Sequence, residues 1–536
     1  MKKLIAMLLA LVMVLSLAAC GASTPEPAAP TSAPAADPGK TEDTAKEPEV
    51  KTVSSTGHSL VPSSNTLKAL WNTSSYDLNT TIEVGVIEEQ TGFDIQWDAL
   101  PAENTQEVLM MTIGSGSDYD MFYTNKANTF RQLLAQGALE PLNEYIDAVA
   151  PELWECITEE QWLGVSDEEG NVYALPKLYT IQQEVTCALG FRMDLMEKAG
   201  ITELPTNLDE LKATLIKLKD FYGDEYIILS GPYNGGSLTN SGLPLIFMNA
   251  FGIYSDWMVD ENGKIIYMTE HENFDDLIAY MTELREAGVL DADWASNKPT
   301  DTDEKWASGK SIVTVASRET NSTVVPALEA ATGVTLEQVE YVGALKGPDG
   351  TVKVKNTGVL SGFTCIPRNH ADKAADVVNY WKQFVAHQEM ICIGEEGVHF
   401  QWDEAGYPIP IQPTFTDERN KTSVYTTFAH MGTFQIQFSA RLRKSDAIWK
   451  LYTQCTLEHA DDVDFQQDIA AFCPSEVYSA NNNILFGNLN DYLIQLVTGV
   501  KDLDSSLDAF TNDWKGNNGE EVRADLQAWY DANYAK

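Results

Sequence analysis

Thr66-Leu-Lys-Ala-Leu-Trp71, Phe93-Asp-Ile-Gln-Trp97 and Tyr119-Asp-Met-Phe-Tyr123 decide the fold. Each is a short run suited to a strand, and the second alternates apolar Phe93, Ile95 and Trp97 with polar Asp94 and Gln96. Stretches with helical spacing follow each of them. Asn79–Gln90 places Ile82, Val86 and Ile87 on one face and stops at Gly92. Thr105–Ile113 turns Val108, Leu109 and either Met111 or Thr112 inward, ended by Gly114 and Gly116. Asn128–Gln136 stops at Gly137. The order β-α-β-α-β-α predicts a parallel, doubly wound sheet and so the α/β class.

The pattern recurs downstream. Ala188–Phe191 reads as a strand, followed by a short helix Leu195–Lys198 capped by Asp194 and closed by Gly200. Asn207 and Glu210 have capping-box spacing ahead of Leu208, Leu211, Leu215 and Leu218. Ser311–Ala316 reads as a buried strand, and His370–His387 as a helix burying Ala374, Val377, Val378, Trp381 and Phe384. Glu520–Tyr534 is the last helix expected. Asp260–Gly263 and Pro348–Gly350 mark hairpin turns. No fixed-period repeat is visible, which excludes a solenoid.

At the N-terminus, Lys2 and Lys3 precede an apolar run from Leu4 to Leu15, then small residues and Cys20. That is an export signal, residues 1–19, whose apolar run is too short to cross ~30 Å of hydrocarbon. Leu17-Ala18-Ala19-Cys20 resembles a bacterial lipobox, making Cys20 the expected lipidated first residue of the mature protein. Ordinary secretion, with Cys20 a spectator, is the alternative. Residues 20–65 carry a Pro-, Ala- and Ser-rich tract from Gly21 to Val50 without an aromatic residue, and read as a disordered linker.

The 536-residue chain exceeds what one core usually organises, and 12 Trp, 21 Tyr and 19 Phe supply several cores. With 36 basic against 79 acidic residues, the net charge of −43 repels nucleic acid and anionic lipid headgroups. No nucleic-acid partner and no membrane contact beyond the lipid are therefore expected, and neutral or cationic ligands are mildly favoured. The seven cysteines (Cys20, Cys156, Cys187, Cys365, Cys392, Cys455, Cys473) are scattered, so disulfides and buried thiols both stay open.

Catalytic signals are weak throughout. There is no HExxH, no GxSxG, and no metal-ligand spacing among the histidines, so no catalytic residue, metal ligand or cofactor is expected. Ser308-Gly-Lys-Ser311 lacks the first glycine of a P-loop, since Glu304 stands there, and it precedes a strand. Asp291, Asp293, Asp301 and Asp303 lack the Gly and Glu of a calcium loop and read as a solvated acidic surface, with a structural calcium left open. Among 79 acids, carboxylate pairs suited to glycosidic hydrolysis carry no information.

Ligands of open parallel sheets sit beyond the carboxyl ends of the strands. That rule selects Trp71, Asn72 and Thr73–Ser75 after the first strand, Glu103 and Asn104 after the second, and Thr124, Asn125 and Lys126 after the third. Asn, Ser, Glu and an aromatic suit sugar hydroxyls and a sugar's apolar face. The plainer alternatives are Trp71 as a core plug and Asn72 and Asn104 as helix caps.

Several segments in this order, behind the lipobox, resemble the extracellular solute-binding lipoproteins of ABC importers, specifically the large carbohydrate-binding family 1. They are Glu88-Glu-Gln-Thr-Gly-Phe93, Gly114-Ser-Gly-Ser-Asp-Tyr-Asp-Met-Phe122, Gly137-Ala-Leu-Glu-Pro-Leu142, Asp167-Glu-Glu-Gly-Asn-Val-Tyr-Ala-Leu-Pro176, Phe191-Arg-Met-Asp-Leu-Met-Glu-Lys-Ala-Gly-Ile201, Trp306-Ala-Ser-Gly-Lys-Ser-Ile312 and Gly394-Glu-Glu-Gly-Val-His-Phe400. The resemblance implies a two-lobed, periplasmic-binding-protein-like fold of type II, with doubly wound sheets joined by hinge crossovers. Lobe 1 is expected over 66–177 plus 358–430, and lobe 2 over 178–357 plus 431–536. The first crossover is expected near Tyr173–Tyr179, the return near Asn356–Cys365, and re-entry past Thr414. It also implies Asn125 as a ligand contact, Tyr179 at the crossover, Tyr233 with Asn234 in a stacking loop, Arg318 with Glu319 where relatives often place an aromatic, and Phe486 as a wall. Arg318 at that place suggests a hydrogen-bonding or acidic sugar group, unless it pairs with one of the many acids.

The function expected is that of a non-enzymatic, monomeric receptor. It captures an oligosaccharide or related sugar by hinge closure and delivers it to ABC permease subunits. A peptide or other non-sugar solute is the alternative ligand, and a lipid-anchored polysaccharide hydrolase the rival from another class.

Overall fold

The computed structural model describes residues 51–534 except 72–76, 102, 168, 179–183, 186, 234–241, 357–359, 420–438, 460 and 474. In chain order the strands up to Cys365 are β1 (Thr66–Trp71), β2 (Asp94–Ala99), β3 (Met121–Thr124), β4 (Leu175–Leu178), β5 (Ala188–Arg192), β6 (Ile227–Ser230), β7 (Trp257–Val259), β8 (Ile265–Tyr267), β9 (Ser311–Ala316), β10 (Val339–Val342), β11 (Lys353–Lys355) and β12 (Leu360–Cys365), of which β7 with β8, and β11, stand outside the two main sheets.

The first sheet has the order β2-β1-β3-β12-β4. β1 lies parallel to β2 and β3, as the opening alternation predicts, while β12 runs antiparallel to both β3 and β4. The second sheet, β10-β5-β9-β6, is mixed: β9 is parallel to β6 and antiparallel to β5. Each sheet carries its own core. One apolar cluster runs from Leu60 to Leu175 and resumes from Phe363 to Phe415 and Ala440; the other runs from Cys187 to Leu345 and resumes from Ile469 to Leu526. The chain leaves the first sheet after Leu178 and enters the second at Ala188, slightly later than Tyr173–Tyr179.

Local differences from the sequence expectation have simple causes. Thr81 caps the helix Ile82–Thr91, so Ile82 is its first residue and stands 49% exposed; Val84, Ile87 and Thr91 form the buried face, and Gly92 ends it in the left-handed region. In the helix Thr105–Gly114 the stripe is Leu109 and Ile113, and Met111 points outward. Asp194 is not a cap: the helix Met193–Lys198 begins after Arg192, whose guanidinium Asp194 holds through two hydrogen bonds of 2.7 and 2.8 Å. Asn207 accepts from the Glu210 amide, but the Glu210 carboxylate turns to Thr206, leaving half a capping box. Pro348–Gly350 does form a turn. The strands on either side of it do not pair, because β11 runs parallel to Asp464–Gln466 instead.

Cys156, Cys365, Cys392, Cys455 and Cys473 are free thiols. Burial pushes the Cys365, Cys392 and Cys455 thiols well up and Cys473 to about 11, so they behave as apolar filling. The acidic stretch is not simply solvated. Asp291 is buried, with the Lys305 ammonium at 2.6 Å and the Asn297 amide at 2.8 Å. Burial pushes its carboxyl up, and the hydrogen bonds from Lys305 and Asn297 more than reverse this, leaving it below its ordinary value. Among the described residues no cluster suited to a metal is present, and no helix is long and apolar enough to cross a membrane.

Three outcomes follow in chemical denaturation. Lys305→Met strands the Asp291 carboxylate and lowers stability at pH 7 by about 3 kcal/mol. The loss shrinks as pH falls below the ordinary carboxylate range, where Asp291 in the variant is neutral. Gly347→Ala drives a Cβ into the Ala250 carbonyl, a backbone atom that no rotamer change relieves, and costs about 2 kcal/mol or more. Gly85→Ala, in open space within the helix Ile82–Thr91, gains about 0.5–1 kcal/mol.

Candidate ligand site at the rim of the first sheet

Because β4 is antiparallel to β12, and β12 to β3, the strands β1, β2, β3 and β4 all end at one edge. The register carries Thr124 across Phe363 to Pro176, and pairs Gly362 with Lys177. Trp71, Asn125, Gly362 and Lys177 therefore stand along the same rim, where an open α/β sheet presents its ligand site.

Aromatic packing fixes that edge. The Trp71 ring stacks on Tyr123 with centroids 5.0 Å apart and meets Trp97 edge-on at 4.9 Å. The Tyr123 hydroxyl donates to the Ser361 carbonyl at 3.3 Å, and its ring lies over Gly362, where a Cβ would overlap it. Trp71 is 2% exposed, so in this structure it is the core plug of the two readings the sequence left open. Glu103 and Asn125 are exposed beyond β2 and β3. Asn104 occupies the N-cap of the helix Thr105–Gly114 at φ 52° without a side-chain cap bond. Gln106, which the sequence reading missed, accepts from both Thr124 and Thr129 and ties the second rim loop to the third.

The remaining expected residues group around the second core. Tyr233 is buried, meets Trp294 edge-on at 5.2 Å, and donates its hydroxyl to the Asn490 carbonyl at 3.3 Å. Burial pushes its phenol far up, so it is a neutral anchor for the loop after β6. Asn297 fastens the same loop, accepting from the Tyr233 amide and donating to the Gly231 carbonyl. Phe486 lies on the helix Glu476–Val497, which also carries Asn490, and packs half-buried against the second core. Arg318 opens the helix Arg318–Thr332 just beyond β9, with Glu319 next to it, and its Nε stands 3.3 Å from the nearly buried Glu184 carboxylate. The pairing alternative is thus realised, with a buried acid rather than a surface one. Asn72, Tyr179, Asn234 and Cys20 lie outside the described residues.

Two cationic features were missed in reading the sequence. Arg131, on the helix Ala127–Ala135 behind Asn125, donates to Ser479 at 3.2 Å and so joins the first sheet's helix to the long helix of the second core. Lys177 is half-buried at the rim, and burial, reinforced by Arg441, pushes its ammonium down to about 8. Burial likewise lowers Arg441 to about 9. A signal for Lys177 did exist: a lone charged residue between Pro176 and Leu178 in an apolar strand.

Comparison with known proteins bears on this arrangement. Residues 76–357 match the family described as bacterial extracellular solute-binding protein. Lipoprotein LipO of Bacillus subtilis is 23% identical over 465 residues, covering 83% of this chain and 88% of the relative. The fructooligosaccharide ABC transporter substrate-binding protein FusA of Streptococcus pneumoniae is 23% identical over 258 residues, covering 43% of this chain and 46% of that protein. The solved structure of FusA in complex with kestose covers 88% of this chain and 99% of its own at a TM-score of 0.61 and 17% identity. An extracellular solute-binding protein from Bifidobacterium longum subsp. infantis covers 90% and 99% at 0.63 and 15%. The shared fold is the mixed α/β architecture of type II periplasmic binding proteins. With the family match spanning more than half of its length, this chain belongs to the bacterial extracellular solute-binding proteins.

Proposed function

We propose that the chain is the non-catalytic, lipid-anchored receptor of an ABC importer, and that its solute is an oligosaccharide or related sugar passed unaltered to membrane permease subunits. The observation that carries the reading is the rim itself. Four strand ends converge on one edge, with exposed Glu103 and Asn125 above an aromatic floor, beside a second core that packs separately. Exposed carboxylate and amide groups on loops positioned by rigid aromatic packing suit a ring of hydroxyls. FusA, whose structure contains kestose, shares the fold, as do the alginate-binding protein AlgQ2 and an HMO binding solute-binding protein of Bifidobacterium longum infantis.

In this reading lobe 1 comprises 66–177 with 358–430, and lobe 2 comprises 178–357 with 431–536. The two close on the solute about the crossovers, and contacts made only in the closed form supply the free energy that shifts the equilibrium. Cys20 carries the lipid and the body works as a monomer on the outer face of the cell membrane without nucleic acid. The tether is the segment before Lys51, because residues 51–65, expected as linker, pack on the body through Leu60 in the first core and the Ser63 and Ser64 amides on Asp376.

Isothermal titration of the mature protein against malto-, fructo- and uronate oligosaccharides tests this. At least one member is expected to bind saturably, to reduce the radius of gyration in solution scattering, and to be recovered intact by mass spectrometry. Asn125→Ala lowers that affinity about tenfold, the worth of one well-made hydrogen bond to a solute. A panel without a binder, or with a hydrolysed one, refutes the reading. In the expressing bacterium, Cys20→Ser moves the protein from the membrane fraction to the soluble one.

A further inference from the structure

We infer that the solute carries an anionic group, a uronate carboxylate or a sulfate ester of a glycan, which docks on the Lys177 ammonium at the rim of the first sheet beside Arg441. The inference rests on the sugar-receptor reading and narrows it to acidic glycans.

Position is the first argument. Directly paired residues share a face of a sheet, and so do residues two apart on one strand. Lys177 pairs with Gly362 and Tyr123 pairs with Thr364, so Lys177 stands on the same face as Tyr123. Between them β12 presents Gly362, which has no side chain, and the Tyr123 ring leans over it toward Lys177. The Tyr123 ring and the Lys177 ammonium thus lie on one face of the sheet at the end of the strands, with Lys177 two strands from Asn125.

Charge is the second argument. Lys68, Lys212, Lys305 and Lys355 each hold a carboxylate, in a chain with more than twice as many acids as bases. Lys177 holds none among the described residues. Its surroundings are burial and a second cation, Arg441, with no acid contributing. Lys444 also feels Arg441, while the groups facing Arg441 are the buried Cys392 thiol and Glu83. A half-buried cation without a counterion is costly, and the cost is recovered when an anion from outside completes the pair. Lysine is also the cation whose proton affinity responds most readily to such a site.

The test is isothermal titration of the mature chain with trigalacturonate, a sulfated disaccharide, maltotriose and inorganic sulfate. At pH 7 an acidic glycan is expected to bind at least tenfold more tightly than maltotriose. The advantage fades between pH 7 and 9, as the free ammonium loses its proton above about 8. Binding near pH 8 takes up protons, which titrations in buffers of different ionisation enthalpy detect. Lys177→Met removes the advantage, whereas Lys177→Arg keeps it at pH 9. Lys177→Met also unfolds at an equal or higher temperature, because it deletes a cation lacking a counterion; a lower temperature would mark a structural role and overturn the inference. Maltotriose binding as tightly as the acids, or Lys177→Met leaving their affinity unchanged, overturns it while the sugar reading stands. Inorganic sulfate binding as tightly as the acidic glycans overturns the glycan assignment. If no glycan of either kind binds, both readings fall together.

Discussion

The stack of Trp71 on Tyr123, seated over a residue without a side chain, is the contact on which the arrangement of the site depends. It joins the ends of β1, β3 and β12, strands that come from opposite halves of the sequence. A ring pair of this kind contributes about 0.5–1.5 kcal/mol beyond the area it buries. Its larger effect is geometric. The ring of Tyr123 reaches the Ser361 carbonyl only because position 362 is glycine. Any Cβ there would push the return strand away and displace β4, which pairs with it. The floor of the rim is thus assembled before any solute arrives.

The two cores treat their loops differently, and the difference suits a receptor. Around the second core, Tyr233 is fixed by Trp294, Asn297 and the Asn490 carbonyl, and Asn297 belongs to the Asp291–Lys305 network. Arg318 is held against Glu184. Around the first core, Glu103 and Asn125 stand exposed on loops cross-tied at their base through Gln106. One wall is rigid and satisfied, while the other offers polar groups to a newcomer. Ordering costs on binding then fall on a few exposed side chains rather than on both walls.

The fold was legible wherever local signals and tertiary packing agreed. β1 and β9 match their expected limits, and the helix Ala374–Ala386 buries every residue its periodicity selects, from Ala374 to Phe384. Helix faces near caps were less legible, because the cap sets the phase: Thr81 rather than Asn79 starts its helix, which turns Ile82 outward. The antiparallel insertion of β12 between β3 and β4 was invisible, since pairing between strands so far apart in the chain leaves no local pattern. For the site, the strand-end rule located the rim without the side chains that finish it. An aromatic beside a ligand loop has the same composition whether it faces the solute or the core, and only packing places Trp71 and Tyr233 inside. Lys177 needed the opposite information, the absence of a partner, which no single sequence displays.

Net charge is a poor guide to the solute for a related physical reason. A formal charge of −43 sets the far field, and that field disfavours polyanions such as nucleic acid as they approach. At physiological salt the field decays over roughly 8 Å, so most of those carboxylates scarcely act on a group inside a rim. What acts there is the local balance, where poor solvation strengthens each remaining interaction. The charged group that acts on Lys177 is a second cation, Arg441, so that balance is positive. A short acidic glycan meets the repulsive surface only briefly and the cationic rim at contact distance, whereas a long polyanion must keep most of its charges in the repulsive field. An overall acidic body with a cationic rim therefore selects by length as well as by charge: it admits small acids and turns away large ones.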